Sequence, residues 1–170
     1  MIEVLRADIT TLAVDAIVNA ANAELIPGGG VSGAIHRAAG REMRAACLAI
    51  GHCEPGGAVI TPGFELPAKF VIHAVGPVWH GGNAGERDTL RHTYGSIFRV
   101  ARANPGIRTI AFPAISTGIY GFPKEAAAEV AVGVMRLHEA AMDRILAALF
   151  DDESARIYER ALARDAPEDG

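Results

Sequence analysis

Hydrophobic positions along this chain follow two patterns, short apolar runs of strand type and longer segments with apolar residues at helical spacing. The short runs predict six β-strands, at residues 3–5, 16–18, 58–61, 70–75, 109–112 and 144–150. The longer segments predict helices at residues 31–50, 86–104, 123–141 and 152–164. This alternation predicts the α/β class, as a three-layer α/β/α sandwich with a central mixed, mainly parallel sheet.

The composition is that of one domain with a sizeable core. Of the 170 residues, 50% are hydrophobic and 21% are charged. We expect a single domain over residues 1–165 and a frayed C-terminal tail at residues 166–170. The formal net charge of −4 lacks the basic excess of proteins that bind nucleic acid polymers. A small ligand is therefore favoured over nucleic acid.

The chain has no apolar run of the roughly 20 residues that cross a bilayer, and its first residues already follow a strand pattern. We therefore expect a cytoplasmic protein without a membrane partner, and we expect a monomer. Cys47 and Cys53, with His52 beside the second, provide only one loose pair of zinc ligands. We expect both thiols to be reduced and structural, and we expect no metal and no cofactor.

Two glycine-containing loops each follow a predicted strand and precede a helix. The first loop, residues 22–30, ends in a glycine triplet, and the second loop, residues 113–123, contains Gly118 and Gly121. Glycine tolerates positive φ and has no Cβ, so consecutive N–H groups can face one anion closely. Ligands of open α/β sheets bind where loops leave the carboxyl ends of strands. We predict that main-chain N–H groups of both loops hold a diphosphate, without lysine or arginine.

Two other motifs in these loops are incomplete. Residues 28–33 satisfy the G-x-G-x-x-G spacing of dinucleotide-binding folds, but Pro27 precedes them and the acidic residue expected after the next strand is missing. Residues 114–118 approach the nucleophile elbow of serine hydrolases, but Ala114 replaces its first glycine. Neither an oxidoreductase nor a serine hydrolase is favoured.

Structural roles without any ligand are open for several residues. Asn22 can order the first loop, and Asp8 can begin a turn. His36 lies near the buried stripe of its helix and Phe150 lies at a strand end, where each can be a core residue. The sequence assigns no role to Trp79, which lies in a loop between the two glycine-containing loops.

A family resemblance is carried by residues 14–22, VDAIVNAAN, and residues 28–40, GGGVSGAIHRAAG. Together with residues 112–122, FPAISTGIYGF, they resemble a macrodomain of the MacroD type. The resemblance runs from Glu3 to Arg164. It implies a fold that binds ADP-ribose, ADP-ribosylated protein or O-acetyl-ADP-ribose. It also implies hydrolysis of mono-ADP-ribosyl groups on protein carboxylates and deacetylation of O-acetyl-ADP-ribose.

The resemblance also assigns site residues. Asp8, with the Ile9 main chain beside it, corresponds to an aspartate that accepts a hydrogen bond from the adenine amino group. Phe150 corresponds to an aromatic residue that stacks on the base. Asn22 corresponds to an asparagine that orients the distal ribose. The remaining ligand contacts fall on Ala21, Gly29, Gly30, Val31, Ser32, Ser116, Thr117, Gly118, Ile119, Tyr120 and Phe122, of which the last two would border that ribose.

The reaction centre implied by the resemblance comprises Asn22, Ser32, His36 and Gly118, where His36 matches a histidine proposed to assist turnover. The family's hydrolases usually carry aspartate at the position of Ser32. A carboxylate can act as a general base, whereas a serine hydroxyl can only position water at neutral pH. We therefore expect a slow hydrolase with substrate-assisted attack of water at the distal ribose, in which the substrate's α-phosphate takes the proton from a water held by Asn22. A non-catalytic reader of ADP-ribose is the alternative.

Overall fold

The structure, a computed structural model, describes residues 1–164, and its six strands form one sheet with helices on both faces. The strands are β1 (Ile2–Arg6), β2 (Ala16–Ala21), β3 (Ala58–Pro62), β4 (Phe70–Val75), β5 (Thr109–Phe112) and β6 (Arg144–Leu149). The helices are α1 (Gly30–Ala39), α2 (Arg41–Ile50), α3 (Glu86–Arg102), α4 (Lys124–His138) and α5 (Asp152–Arg164). None of these helices has the length and apolarity needed to span a bilayer. The predicted tail at residues 166–170 lies outside the described residues.

The strand order is β1-β6-β5-β2-β4-β3, and all neighbouring strands run parallel except β3, which is antiparallel to β4. The predicted mixed, mainly parallel sheet is confirmed. Because β2 and β5 are parallel neighbours, the first and second loops leave the same edge of the sheet side by side. This arrangement places both loops at the position where open α/β sheets bind ligands.

Each face of the sheet carries its own hydrophobic core. Val18 and Ile72 pack with the apolar residues of α3, α4 and α5, whereas Ile17 and Val71 pack with those of α1 and α2. Successive strand residues point to opposite faces, so alternate positions of one strand supply the two cores. The predicted three-layer sandwich is confirmed.

The predicted helix at residues 31–50 is wrong in one respect, because the chain breaks at Gly40. Gly40 has a φ of 89°, and the Ala39 carbonyl accepts a hydrogen bond of 3.2 Å from the Glu65 N–H. The Glu65 carboxylate also occupies the space that a Cβ of Gly40 would need. A contact with a residue distant in sequence therefore divides this segment into α1 and α2.

Candidate functional site

A cleft of about 860 Å³ opens at the edge where β2 and β5 end. Residues of both loops line it, together with the end of β6 and the start of α5. The predicted site residues that line it are Asp8, Ile9, Ala21, Asn22, Gly29, Gly30, Val31, Ser32, Ser116, Thr117, Gly118, Ile119, Tyr120 and Phe150. The fold thus brings together residues that are separated by more than half of the sequence.

The side chain of Asn22 holds the first loop. Its Oδ1 accepts a hydrogen bond from the Ile26 N–H (3.0 Å), and its Nδ2 donates to the Ile26 carbonyl (3.0 Å). The predicted turn-ordering role of Asn22 is confirmed. A side-chain amide has two donor hydrogens and two acceptor lone pairs, so Asn22 retains one of each for a ligand. The residue can therefore order the loop and contact a ligand at the same time.

The N-terminus of α1 faces the cleft without a side-chain cap. Gly29 occupies the N-cap position and supplies no capping side chain. The first N–H groups of a helix have no partner within it, and the helix dipole adds partial positive charge there. Gly30, Val31 and Ser32 belong to this first turn and line the cleft. This end of α1 is therefore suited to an anion.

The second loop presents five consecutive N–H groups, those of residues 116–120, that make no main-chain hydrogen bond within the described part of the chain. The loop is closed instead by the Gly121 N–H, which donates to the Gly118 carbonyl (3.0 Å), and the Phe122 N–H, which donates to the Ser116 carbonyl (2.9 Å). Ser116 has a φ of 67°, in the left-handed region. Backbone conformations of this kind form concave anion-binding sites.

Two serine hydroxyls in the cleft lining are buried and unpaired. Ser32 Oγ and Ser116 Oγ have no hydrogen-bond partner among the described residues. Buried polar atoms nearly always have a partner in folded proteins. A polar ligand in the cleft can satisfy both hydroxyls, which makes them candidate ligand contacts.

Asp8 both begins a turn and lines the cleft. Its Oδ1 accepts hydrogen bonds from the N–H (3.0 Å) and the hydroxyl (2.7 Å) of Thr10, as the turn prediction requires. Its Oδ2 accepts no side-chain or main-chain hydrogen bond from residues 1–164. One carboxylate oxygen therefore remains for an N–H group of a ligand.

Phe150 lies just beyond β6, which ends at Leu149, and 84% of its surface is exposed. The alternative in which Phe150 is a core residue is therefore wrong. An exposed aromatic face beside a cleft can stack on a nucleic acid base. The positions of Asp8 and Phe150 in one lining agree with the adenine site implied by the resemblance.

Two of the predicted site residues are turned away from the cleft. Phe122 is 1% exposed and packs against Trp79, with their ring centroids 4.8 Å apart. It lies in the core beneath the second loop, so the prediction that it borders the ribose is corrected. His36 is 9% exposed and also lies outside the lining. This position, on the buried face of α1, does not support its predicted place at the reaction centre.

His36 lies beside a buried polar cluster between the sheet and the helices α1 and α2. His73 Nδ1 is 3.0 Å from Asn19 Nδ2, and His73 Nε2 is 2.9 Å from Thr61 Oγ1. The ring centroids of His36 and His73 lie 6.5 Å apart. Burial lowers the pKa of His73 to about 4, with a further contribution from His36. Burial, with a smaller effect of Arg44, also lowers the pKa of His36.

Sequence reasoning missed several lining residues, among them Gly76, Arg37 and Lys124. Gly76 directly follows β4, so the carboxyl-edge rule applied to that strand would have found it. Arg37 and Lys124 place two cationic side chains in the lining, whereas the sequence prediction assigned the diphosphate to main-chain N–H groups without lysine or arginine. Lys124 forms an ion pair of 3.1 Å with Glu153. Its charge is therefore partly neutralised at the cleft.

Both cysteines are buried free thiols, and burial raises the pKa of each. Such thiols are poor nucleophiles, because the thiolate is the reactive form. Their predicted structural role agrees with these positions, away from the cleft lining.

Comparison with known proteins agrees with the geometry of the cleft. The family model described as Macro domain matches residues 18–131. The chain is 54% identical over 168 residues to an O-acetyl-ADP-ribose deacetylase of Klebsiella pneumoniae (strain 342), covering 95% of each protein. It is also 54% identical to a macro domain-containing protein of Ralstonia nicotianae, covering 93% of this chain and 92% of that protein.

Solved structures show the same fold. The Oceanobacillus iheyensis macrodomain with ADP matches with a TM-score of 0.89 and 35% identity, covering 96% of this chain and 90% of that chain. The Trypanosoma brucei macrodomain in complex with ADP-ribose matches with a TM-score of 0.87 and 39% identity, covering 95% of this chain and 68% of that chain. The predicted resemblance is thereby confirmed: the chain belongs to the macro domain family.

Proposed function

We propose that this protein binds ADP-ribose and hydrolyses acyl esters of its distal ribose. O-acetyl-ADP-ribose is one substrate, and mono-ADP-ribosylated acidic side chains of proteins are another. The observation that carries the proposal is the convergence of the uncapped α1 N-terminus and the unpaired N–H groups of residues 116–120 on one cleft. Such groups bind a diphosphate by many weak, directed hydrogen bonds.

Two sets of lining residues suit the two ends of ADP-ribose. The free Oδ2 of Asp8 and the exposed ring of Phe150 provide an acceptor and a stacking face for adenine. The spare amide groups of Asn22 and the unpaired hydroxyl of Ser32 are suited to the hydroxyl groups of the distal ribose. The diphosphate then lies between them, along the two loops.

Both proposed substrates are carboxylic esters, so one reaction serves for both. A water molecule held by Asn22 gives a proton to an oxygen of the substrate's α-phosphate, and its oxygen bonds to the ester carbonyl carbon. The bond between that carbon and the ribose oxygen then breaks. The phosphate returns the proton to the ribose oxygen, and the released carboxylic acid ionises in solution. Ser32 can position the water but cannot serve as its base.

The activity for which several relatives are named favours a hydrolase over a non-catalytic reader of ADP-ribose. Relatives named O-acetyl-ADP-ribose deacetylase share about half of their residues with this chain and cover nearly all of it. The replacement of the usual aspartate by Ser32 leads us to expect slow turnover. General acid–base catalysis contributes roughly 10²–10⁴-fold in enzymes, so a weaker base slows the reaction without abolishing it.

The test is release of acetate from O-acetyl-ADP-ribose, and release of ADP-ribose from a glutamate-modified protein, by wild type and Asn22→Ala. We expect measurable release by wild type and a loss of about tenfold or more in kcat for Asn22→Ala. Asn104→Ala is the matched control, because the Asn104 amide also binds local main chain (the Val100 carbonyl, 2.8 Å) but lies outside the cleft. It should keep the wild-type kcat.

The competing functions give different results. If wild type binds ADP-ribose but releases no product over hours, the protein is a reader and the hydrolase proposal fails. If ADP binds as tightly as ADP-ribose in calorimetry, the distal ribose has no specific contacts and the protein is a general nucleotide binder.

A further inference from the structure

The loop at residues 79–85, here called the Trp79 loop, is organised by one buried carboxylate. Glu86, the first residue of α3, accepts hydrogen bonds from the N–H groups of His80 (2.9 Å), Gly82 (2.8 Å) and Ala84 (2.6 Å). Glu86 is only 2% exposed. The bond from His80 is the largest cause that lowers the pKa of Glu86 to about 2, against the opposing effect of burial. Glu86 is therefore ionised at neutral pH, and its carboxylate binds three main-chain N–H groups of the loop.

The Trp79 loop contacts the second loop through both main chain and side chain. The Trp79 N–H donates to the Tyr120 carbonyl (2.8 Å), and the Trp79 ring packs on the Phe122 ring at 4.8 Å and an interplanar angle of 57°. Gly82 lies against the six-membered ring of the indole, where an added Cβ would approach Cη2 to 2.8 Å. The indole is thus held between its own loop and the base of the second loop.

These contacts join the part of the second loop that directly follows the N–H groups without main-chain partners among residues 1–164. The carbonyl of Tyr120 and the ring of Phe122 directly follow residues 116–119. The Phe122 N–H closes the loop on the Ser116 carbonyl (2.9 Å). A change in the position of Trp79 therefore alters the base on which the anion-binding segment is built.

We propose that Glu86 and Trp79 are positioning residues for the second loop, although neither lines the cleft. The carboxylate of Glu86 fixes the Trp79 loop, and Trp79 in turn holds residues 120–122 in the conformation that directs the N–H groups of residues 116–120 into the cleft. A site that is held in place before the ligand arrives binds more tightly, because less ordering accompanies binding. The inference rests on the proposed function only for the choice of ADP-ribose as a probe.

The first experiment needs no ligand. Hydrogen exchange of a peptide covering residues 113–123 is compared in wild type, Glu86→Ala and Met142→Ala. Met142 is buried just before β6, at the edge of the sheet opposite the cleft, so Met142→Ala controls for general loss of stability. We expect Glu86→Ala to accelerate exchange of the two hydrogen-bonded amides of this peptide, those of Gly121 and Phe122, about fivefold or more, and Met142→Ala to leave them near wild type. Equal exchange in wild type and Glu86→Ala overturns the positioning role.

The second experiment measures ADP-ribose affinity by calorimetry. Glu86→Ala and Trp79→Ala should raise Kd about tenfold or more, and Trp79→Phe, which keeps an aromatic ring on Phe122, should return Kd to within about threefold of wild type. Met142→Ala is again the control for stability. If it lowers the melting temperature as much as Glu86→Ala and Trp79→Ala do but keeps the wild-type Kd, loss of stability does not explain their weaker binding. Wild-type Kd in both alanine variants overturns the proposal.

A third measurement uses wild type alone, because Trp79 is the single tryptophan of the chain. Since the second loop packs on the indole, saturation with ADP-ribose should change the tryptophan fluorescence with the Kd found by calorimetry. Calorimetric binding without a fluorescence change counts against coupling between the loops. Absence of calorimetric binding by wild type counts instead against the proposed function, and the ligand-free exchange experiment then still decides the positioning role.

Discussion

Gly76 lies so close to Ser116 that a Cβ atom at position 76 would overlap the Ser116 hydroxyl oxygen and come within 2.7 Å of Ile115 Cγ2. This contact joins the end of β4 to the second loop. The missing side chain at position 76 allows the loop to take the left-handed turn at Ser116 and to line the cleft. Glycine is therefore required here for close approach of two segments.

Gly76→Ala should displace the second loop. We expect Kd for ADP-ribose to rise about tenfold or more, and the free energy of unfolding to fall by about 1–3 kcal/mol, as for other overpacked sites. Calorimetry and denaturant unfolding measure the two effects. Gly133→Ala in α4 is the control, since no other segment of residues 1–164 comes within 4 Å of its added Cβ. It should keep Kd and raise the free energy of unfolding by about 0.5–1 kcal/mol. Wild-type affinity in Gly76→Ala would contradict this account.

Phe150→Ala tests the adenine site. Base stacking on an aromatic ring contributes about 1–3 kcal/mol, so the variant should bind ADP-ribose about tenfold or more weakly. Because the ring is 84% exposed, the melting temperature should hardly change. Leu137→Ala is the matched control, another exposed apolar residue (79%) outside the cleft lining. If Phe150→Ala and Leu137→Ala change Kd equally, Phe150 does not contact the adenine base.

Ser32→Asp tests whether turnover is limited by the missing carboxylate. Ser32 lies in the first turn of α1 and in the cleft lining, so we expect a carboxylate at this position to accept the proton of the attacking water. We expect kcat for O-acetyl-ADP-ribose to rise about tenfold or more. Repulsion between the carboxylate and the diphosphate should raise Kd for ADP-ribose. Ser32→Ala, which has neither the carboxylate nor the hydroxyl group, should not exceed the wild-type kcat. A lower kcat in Ser32→Asp would exclude this role.

Acidification should destabilise the protein through His73. Burial lowers the pKa of His73 to about 4, below its ordinary value of 6.5, so the unfolded chain binds the proton more tightly than the folded one. The stabilisation from neutral His73 is complete above pH 6.5 and is lost as the pH falls toward 4. At pH 5 we expect the free energy of unfolding to be about 2 kcal/mol lower than at pH 7 from this group. The lowered pKa of His36 acts in the same direction.

Denaturant unfolding at the two pH values checks this expectation. His73→Gln removes the titrating group. The difference in its free energy of unfolding between pH 7 and pH 5 should therefore be about 2 kcal/mol smaller than that of wild type. His92→Gln, at an exposed position on α3, should keep the wild-type difference. An unchanged pH difference in His73→Gln would assign the effect to other groups.

Local pattern was sufficient for most elements of the fold. The bounds predicted for β4, β5 and α5 agree with the structure, and the sheet is mixed as expected. The position of the cleft also followed from sequence, because glycine-rich loops after parallel strands meet at one edge whenever those strands are neighbours. Family resemblance then supplied roles for Asp8, Asn22 and Phe150, which all line the cleft. Roles in catalysis, the cytoplasmic location and the monomeric state remain predictions.

By itself, the sequence determined the strands, the helices and the two loops, since hydrophobic periodicity and glycine conformation act between near neighbours. Only the tertiary structure decided where individual side chains point. Phe122 and His36 face the core because Trp79 and His73, distant in sequence, pack against them. Gly40 divides a helix where Glu65 lies against it. Gly76 belongs to the site because it lies against Ser116 of the second loop. These outcomes depend on contacts between distant segments, which no local pattern contains.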